Sequence, residues 1–168
     1  RRGLVQTQRW HSHDGANGET ICAGADAAKS FSMRDAALSY VERGWHVFPV
    51  RERDKVPAIT HGLLDATTDR AAVERWWASV PYNIGIRTGA ISGIVVLDVD
   101  AGHGGLESLE QVTLPETATV LTGGGGLHYY FAHLGYEVRN AASILPGLDV
   151  RGDGGYVVAP PSIHASGQ

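Results

Sequence analysis

Residues 93–100 read Gly-Ile-Val-Val-Leu-Asp-Val-Asp, the most apolar run in the chain, and they end in two carboxylates one residue apart. The run is Val-rich, opened by glycine and too short for a buried helix, so it predicts a strand. Alternate residues of a strand face the same side, about 6.6 Å apart, so Asp98 and Asp100 are expected to project together. Like charges held that close repel and resist desolvation. Two readings stand. Oxygen ligands on a rigid strand suit a hard divalent ion such as Mg²⁺ or Mn²⁺; alternatively the strand ends in solvent and the pair is a soluble cap.

Outward from this strand the pattern divides. Towards the C-terminus a short helix is predicted over 106–111, then strands over 118–122, 127–132, 148–151 and 156–159, separated by Gly or Pro turns. Towards the N-terminus, Ile84–Thr88 and Trp45–Val50 read as strands. Ser32-Met33-Arg34-Asp35 reads as a capping box opening a helix that Gly44 stops. Thr68 or Asp69 caps a second helix through Trp77, ended by Val80-Pro81, with Trp76-Trp77 core on one side and half-exposed on the other. Two helices flank the first strand and a mostly β half follows, so the fold class is α+β. Residues 1–30 show neither periodicity and read as a flexible leader, leaving 31–168 as one domain. Within that leader His11, His13 and Cys22 lack a fourth ligand at metal spacing and read as scattered residues.

Composition narrows the classes. Net charge is −4, and the 14 basic residues divide into 12 Arg and two Lys, Lys29 and Lys55, which excludes a strongly basic nucleic-acid coat. The single cysteine, Cys22, excludes a disulfide framework and a Cys-based zinc ribbon; no zinc is expected, and a reducing cytoplasm is the plain reading. No apolar run approaches about 18 residues, so no membrane partner is expected. Arg1-Arg2-Gly3-Leu4 is followed by no apolar region and is not a signal peptide. Glycine is in excess, and 16 of the 22 lie at or after Gly85. That bias implies tight turns and close backbone approach in the second half, where a ligand site is therefore sought.

Three further segments carry chemistry. Thr122-Gly123-Gly124-Gly125-Gly126-Leu127-His128 puts four glycines between two strands. Such a turn lets backbone N–H groups approach phosphate, with His128 reaching an oxygen, or it is a flexible hairpin with a core histidine. It is not a P-loop, because no Gly-Lys-Ser/Thr follows. Leu148-Asp149-Val150-Arg151 places an acid and a guanidinium on one strand face, either to grip phosphate in a fork or as a local surface pair. Ser162 and His164 lie on a Pro-rich loop that either touches ligand or merely follows a strand. Together, three acids, a glycine turn ending in His and an Arg fit phosphoryl transfer with two metal ions about 3.5–4 Å apart. Spacing alone does not show whether these strands adjoin.

The ordered set resembles the bifunctional primase–polymerase (Prim-Pol) domain of the archaeo-eukaryotic primase superfamily, found in replication proteins of plasmids, phages and integrated elements. The similarity runs through Arg43-Gly44-Trp45-His46-Val47-Phe48-Pro49, Lys55-Val56-Pro57, Ala66-Thr67-Thr68-Asp69, Trp76-Trp77, Asn83-Ile84-Gly85, Thr88-Gly89 and Ser92-Gly93. It continues through Leu97-Asp98-Val99-Asp100, Leu114-Pro115, Thr122 to His128 and Leu148 to Ser162. The resemblance implies an α/β unit packed on an antiparallel or mixed sheet like an RNA-recognition motif. It implies that Asp98, Asp100 and Asp149 are the catalytic metal ligands for Mg²⁺ or Mn²⁺, and that Gly126-Leu127-His128 is the nucleotide-binding small-x-His element. Arg151 and Lys55 become phosphate contacts, with Ser162 and His164 beside them. The implied activity is template-dependent synthesis and extension of primers from NTPs or dNTPs, on a single-stranded DNA template, with a replicative helicase module in the full-length protein. The rivals are a metal-dependent nuclease and a nucleic-acid-binding module with a decayed site. Relatives often carry Ser or Thr where this chain has Gly126, and they continue past Gln168, so a truncated C-terminal edge is expected.

Overall fold

The computed structural model describes residues 32–168. The leader reading for 1–30 lies outside the described residues. Eleven helices and strands follow in the order α1 (Met33–Glu42), β1 (Val47–Val50), α2 (Arg70–Trp76), β2 (Asn83–Arg87), β3 (Ile94–Val99), α3 (Gly105–Leu109), β4 (Ala118–Leu121), β5 (Leu127–Ala132), β6 (Ala141–Leu145), β7 (Leu148–Arg151) and β8 (Tyr156–Ala159). Short 3₁₀ turns interrupt them at Gly62–Asp65 and Ala101–His103. The α+β expectation holds. Among the described residues no helix is long and apolar enough to cross a membrane.

Local chemistry explains the helix ends. Ser32 caps α1: its hydroxyl accepts the Asp35 N–H at 3.1 Å while the Asp35 carboxylate reaches back to Ser32. Gly44, at φ +80°, follows the cap residue Arg43 and takes the left-handed turn that other residues resist. Of the two candidate caps for α2, Asp69 does the work, accepting the Ala71 N–H at 2.9 Å. Trp77 is core and donates its indole N–H to the Tyr82 carbonyl at 2.7 Å, while Trp76 is only partly buried. The first strand is shorter than expected. Trp45 precedes it, its ring stacked between those of Tyr40 and Tyr130.

The strands form two antiparallel sheets, one in the order β1-β2-β8 and one in the order β4-β5-β3-β7-β6. The chain crosses between them twice, after β2 and after β7, and the crossings are stapled: Thr88 Oγ1 donates to the Gly152 carbonyl at 2.7 Å and the Ala90 N–H donates to Asp153 at 2.8 Å. Asp153 is thus a turn residue, as its glycine surroundings suggest. β3 is the pivot. Its Ile94 and Val96 join the core shared with α1, α2, Ile84, Ile86 and Val157, while Leu97 and Val99 pack with Leu148, Leu109 and Leu114 on the other face. Asp98 follows Val96 on the first face, at the point where that core stops.

Strand β6 has no counterpart in the sequence reading. Ala141–Leu145 shows no alternation, is mostly exposed, and slips register against β7 between Ala141 and Leu145. Ser143 in its middle takes φ +53°, a conformation uncommon outside glycine.

Candidate active site

Strand register brings the site together. Asp98 on β3 lies directly opposite His128 on β5 and opposite Asp149 on β7. Directly opposed residues share a sheet face, so two carboxylates and an imidazole form one row across three neighbouring strands. Arg151, two residues beyond Asp149, completes it from the same face. Its Nη2 donates to Asp149 at 2.7 Å and to Asp98 at 3.1 Å, and its Nε donates to Asp98 at 3.3 Å. His128 Nε2 stands 3.4 Å from the other Asp98 oxygen.

The guanidinium sits where a cation between two carboxylates must sit. Side-chain exposures of 23% for Asp98 and 26% for Asp149 leave the pair too sheltered for water alone to screen its repulsion. Burial pushes the Asp98 carboxyl up, but the His128 and Arg151 contacts outweigh it and hold the group below the usual carboxylate range. The second Asp149 oxygen accepts the Ser143 N–H at 2.7 Å. The irregular backbone of β6 therefore has a use: it aims an amide at the acid. No sequence signal marks Ser143, because the donor is the main chain.

The other expected residues divide. Asp100 lies just past the end of β3 and caps the turn Ala101–His103, accepting the Gly102 N–H at 2.8 Å and meeting His103 Nδ1 at 2.7 Å. The His103 contact, then the Gly102 N–H and the charges of His103 and Lys55, hold it below the usual carboxylate range against slight desolvation. Lys55 is thus close enough to act on Asp100, and its carbonyl accepts the Tyr156 hydroxyl at 2.7 Å. Gly126 is buried and donates its N–H to Thr122 Oγ1 at 3.0 Å. Ser162 is committed to the fold, its hydroxyl accepting the Ile84 N–H at 2.9 Å. His164 packs over the glycine turn through Ser166, whose hydroxyl donates to the Gly123 carbonyl at 2.9 Å.

The donor set fits a divalent cation in kind: hard oxygen ligands from Asp98 and Asp149 face one another, with Asp100 two residues along. Among the described residues, however, no three His, Cys, Asp or Glu side chains already converge as a metal group. Arg151 stands between two of the acids and His103 engages the third. Arg151→Gln should therefore destabilise the metal-free protein by about 1–3 kcal/mol, because it leaves two sheltered carboxylates opposed. In urea titrations Mn²⁺ should recover more stability in the variant than in the wild type; equal gains would show that the guanidinium does not stand in for a cation.

The antiparallel sheet thus presents paired acids, a guanidinium and an imidazole in one row. The described chain belongs to the family of the bifunctional DNA primase/polymerase N-terminal domain (Prim-Pol), whose profile matches residues 37–168. No curated protein matches the chain significantly. The match covers every residue of the row, and it makes primase/polymerase activity of the nucleotidyltransferase type, acting on nucleotides and nucleic acid, the family's mark on this domain.

Proposed function

We propose that this domain makes and extends primers on single-stranded DNA, using NTPs or dNTPs, in the cytoplasmic replication of a plasmid, phage or integrated element and beside a helicase module of the full-length protein. The observation that carries the reading is the row Asp149–Asp98–His128 on adjacent strands. The five-stranded sheet then corresponds to the RNA-recognition-like module of the primase core, and the three-stranded sheet with α1 and α2 to its companion unit.

Asp98 and Asp149 would hold Mg²⁺ or Mn²⁺, with Asp100 joining when it leaves His103. Such ions, when bound, neutralise the triphosphate and lower the pKa of the attacking 3′-hydroxyl. The protein's own steps are positional. Arg151 releases the carboxylates and turns its fork to the phosphates, where a planar guanidinium matches two oxygens at once. His128, held against Asp98, offers Nε2 to a phosphate oxygen. Lys55 approaches from its loop beside Asp100. Alignment of the 3′-hydroxyl with the α-phosphate adds to the charge stabilisation such a site supplies.

A template-directed assay with NTPs and dNTPs in parallel tests the reading. Product whose length and sequence follow the template, dependent on Mg²⁺ or Mn²⁺, is the expected result. Metal-dependent cleavage of the template without any need for nucleotide would make the domain a nuclease instead.

A further inference from the structure

A second basic position lies on the face of the three-stranded sheet turned away from the shared core. Arg87 at the end of β2 stands opposite Tyr156 of β8, and its N–H donates to the His46 carbonyl at 3.0 Å. Its side chain lines a pocket of about 600 Å³ with Pro57, Thr60, His61, Leu63 and Gly154. Arg87 Nε is buried and has no acceptor, and the residue forms no ion pair among the described residues. No side-chain hydrogen bond of Arg87 is formed among the described residues, so its guanidinium meets no acceptor in the protein. Its terminal N–H groups, unlike the buried Nε, are left to pair with an anion in the pocket.

The surrounding loops do not supply one. Asp65 pairs with His61 at 3.1 Å, Asp153 accepts the N–H groups of Ala90 and Val138 at 2.8 and 2.9 Å, and Asp54 accepts that of Lys55 at 2.7 Å. Tyr156 is a neutral phenol whose hydroxyl donates to the Lys55 carbonyl, so it supplies no negative charge. The pocket contains no residue of the acidic row but is tied to it along the chain and through one side chain: Pro57 ends the loop that carries Lys55, Gly154 follows Arg151 by three residues, and Tyr156, opposite Arg87, hydrogen-bonds the Lys55 carbonyl. Arg151 and His128 already provide for a triphosphate. In a chain of net charge −4, a further phosphate contact has to be placed residue by residue.

We propose that Arg87 pairs with a backbone phosphate of a single nucleic-acid strand lodged in this pocket beside the active site. The assignment rests on reading the domain as a primase/polymerase. Its test is independent of catalysis, because strand binding is measured without metal or triphosphate. Fluorescence anisotropy of a short labelled oligodeoxynucleotide, titrated with the full chain over a range of salt, should show about tenfold weaker binding by Arg87→Gln. The salt dependence should also flatten by about 0.7 in log–log slope, the signature of one lost single-strand phosphate. Thr60→Glu, an exposed change at the pocket rim, should weaken the strand in the same direction without touching the sheet. Arg87→Lys should recover part of the affinity. Unchanged strand affinity in both Arg87→Gln and Thr60→Glu overturns the proposal. So does a loss confined to free triphosphate, read by calorimetry with Mn²⁺, since the phosphate would then belong to the nucleotide.

Discussion

Asp98→Asn is expected to give a folded protein that adds nucleotides roughly 10³-fold more slowly than the wild type, the size of several kcal/mol of lost charge stabilisation. Asn keeps the shape of the side chain, and a neutral residue opposite Asp149 removes a like-charge contact rather than creating one. Arg151 retains its 2.7 Å partner in Asp149, so the sheet keeps one of its two links at this row. Stability should accordingly change by no more than about 1 kcal/mol, while templated addition collapses. Single-turnover extension of a pre-annealed primer, together with urea unfolding of the same preparation, reads both. Extension near the wild-type rate would remove Asp98 from the chemistry. Asp100→Asn in the same assay asks whether the third acid leaves His103: a comparable loss means that it joins the site, and a near-normal rate means that it remains the cap of its turn.

The difference between Asp98 and Asp100 shows how far residue order carries. Period-two spacing predicts both on one face of an extended run, but the strand ends at Val99. Beyond it Asp100 meets the turn formed by Ala101-Gly102-His103, and a short-range partner takes its carboxylate. The same locality explains what was readable. The capping box of α1, the Asp69 cap and the apolar strands are set by neighbours in sequence, and each stands close to where its residues place it. The pairing of Asp149 with Arg151 is likewise local. That Arg151 also bridges to Asp98 is not, because it depends on β7 lying beside β3 in one particular register. Strand β6 was illegible for a related reason. Ala141 to Leu145 has neither alternation nor an apolar face, and it is held as a strand by β7. Its Ser143 amide, which completes the hydrogen bonding of Asp149, follows from a backbone angle rather than from a side chain.

The glycine excess of the second half also resolves unevenly, and that unevenness yields the other large effect. Gly126→Ser introduces the kind of residue expected from the family resemblance, yet in this chain it should destabilise by about 1–3 kcal/mol, the usual result of overpacking. A Cβ at residue 126 would press into the Val99 carbonyl oxygen, with Val99 C at 3.2 Å and Thr122 Oγ1 at 3.3 Å. The first obstacle is main chain and cannot rotate aside. Relief requires β5 to move away from β3 one step from the Val99–Leu127 pair and two from Asp98–His128, so nucleotide addition should fall with stability. Gly126→Ala should cost as much as Gly126→Ser, since the clash belongs to the Cβ and not to the hydroxyl. Gly124→Ala is the counterpart in the same turn: the nearest atom to its Cβ would be His164 Nε2 at 3.7 Å, an ordinary contact. That variant should be neutral or stabilise by about 0.4–1 kcal/mol through the unfolded chain. Urea unfolding of the three variants separates the causes. A shared loss at 124 and 126 would mean that the turn needs flexibility, whereas a loss at 126 alone locates the requirement at the backbone contact that holds His128 opposite Asp98.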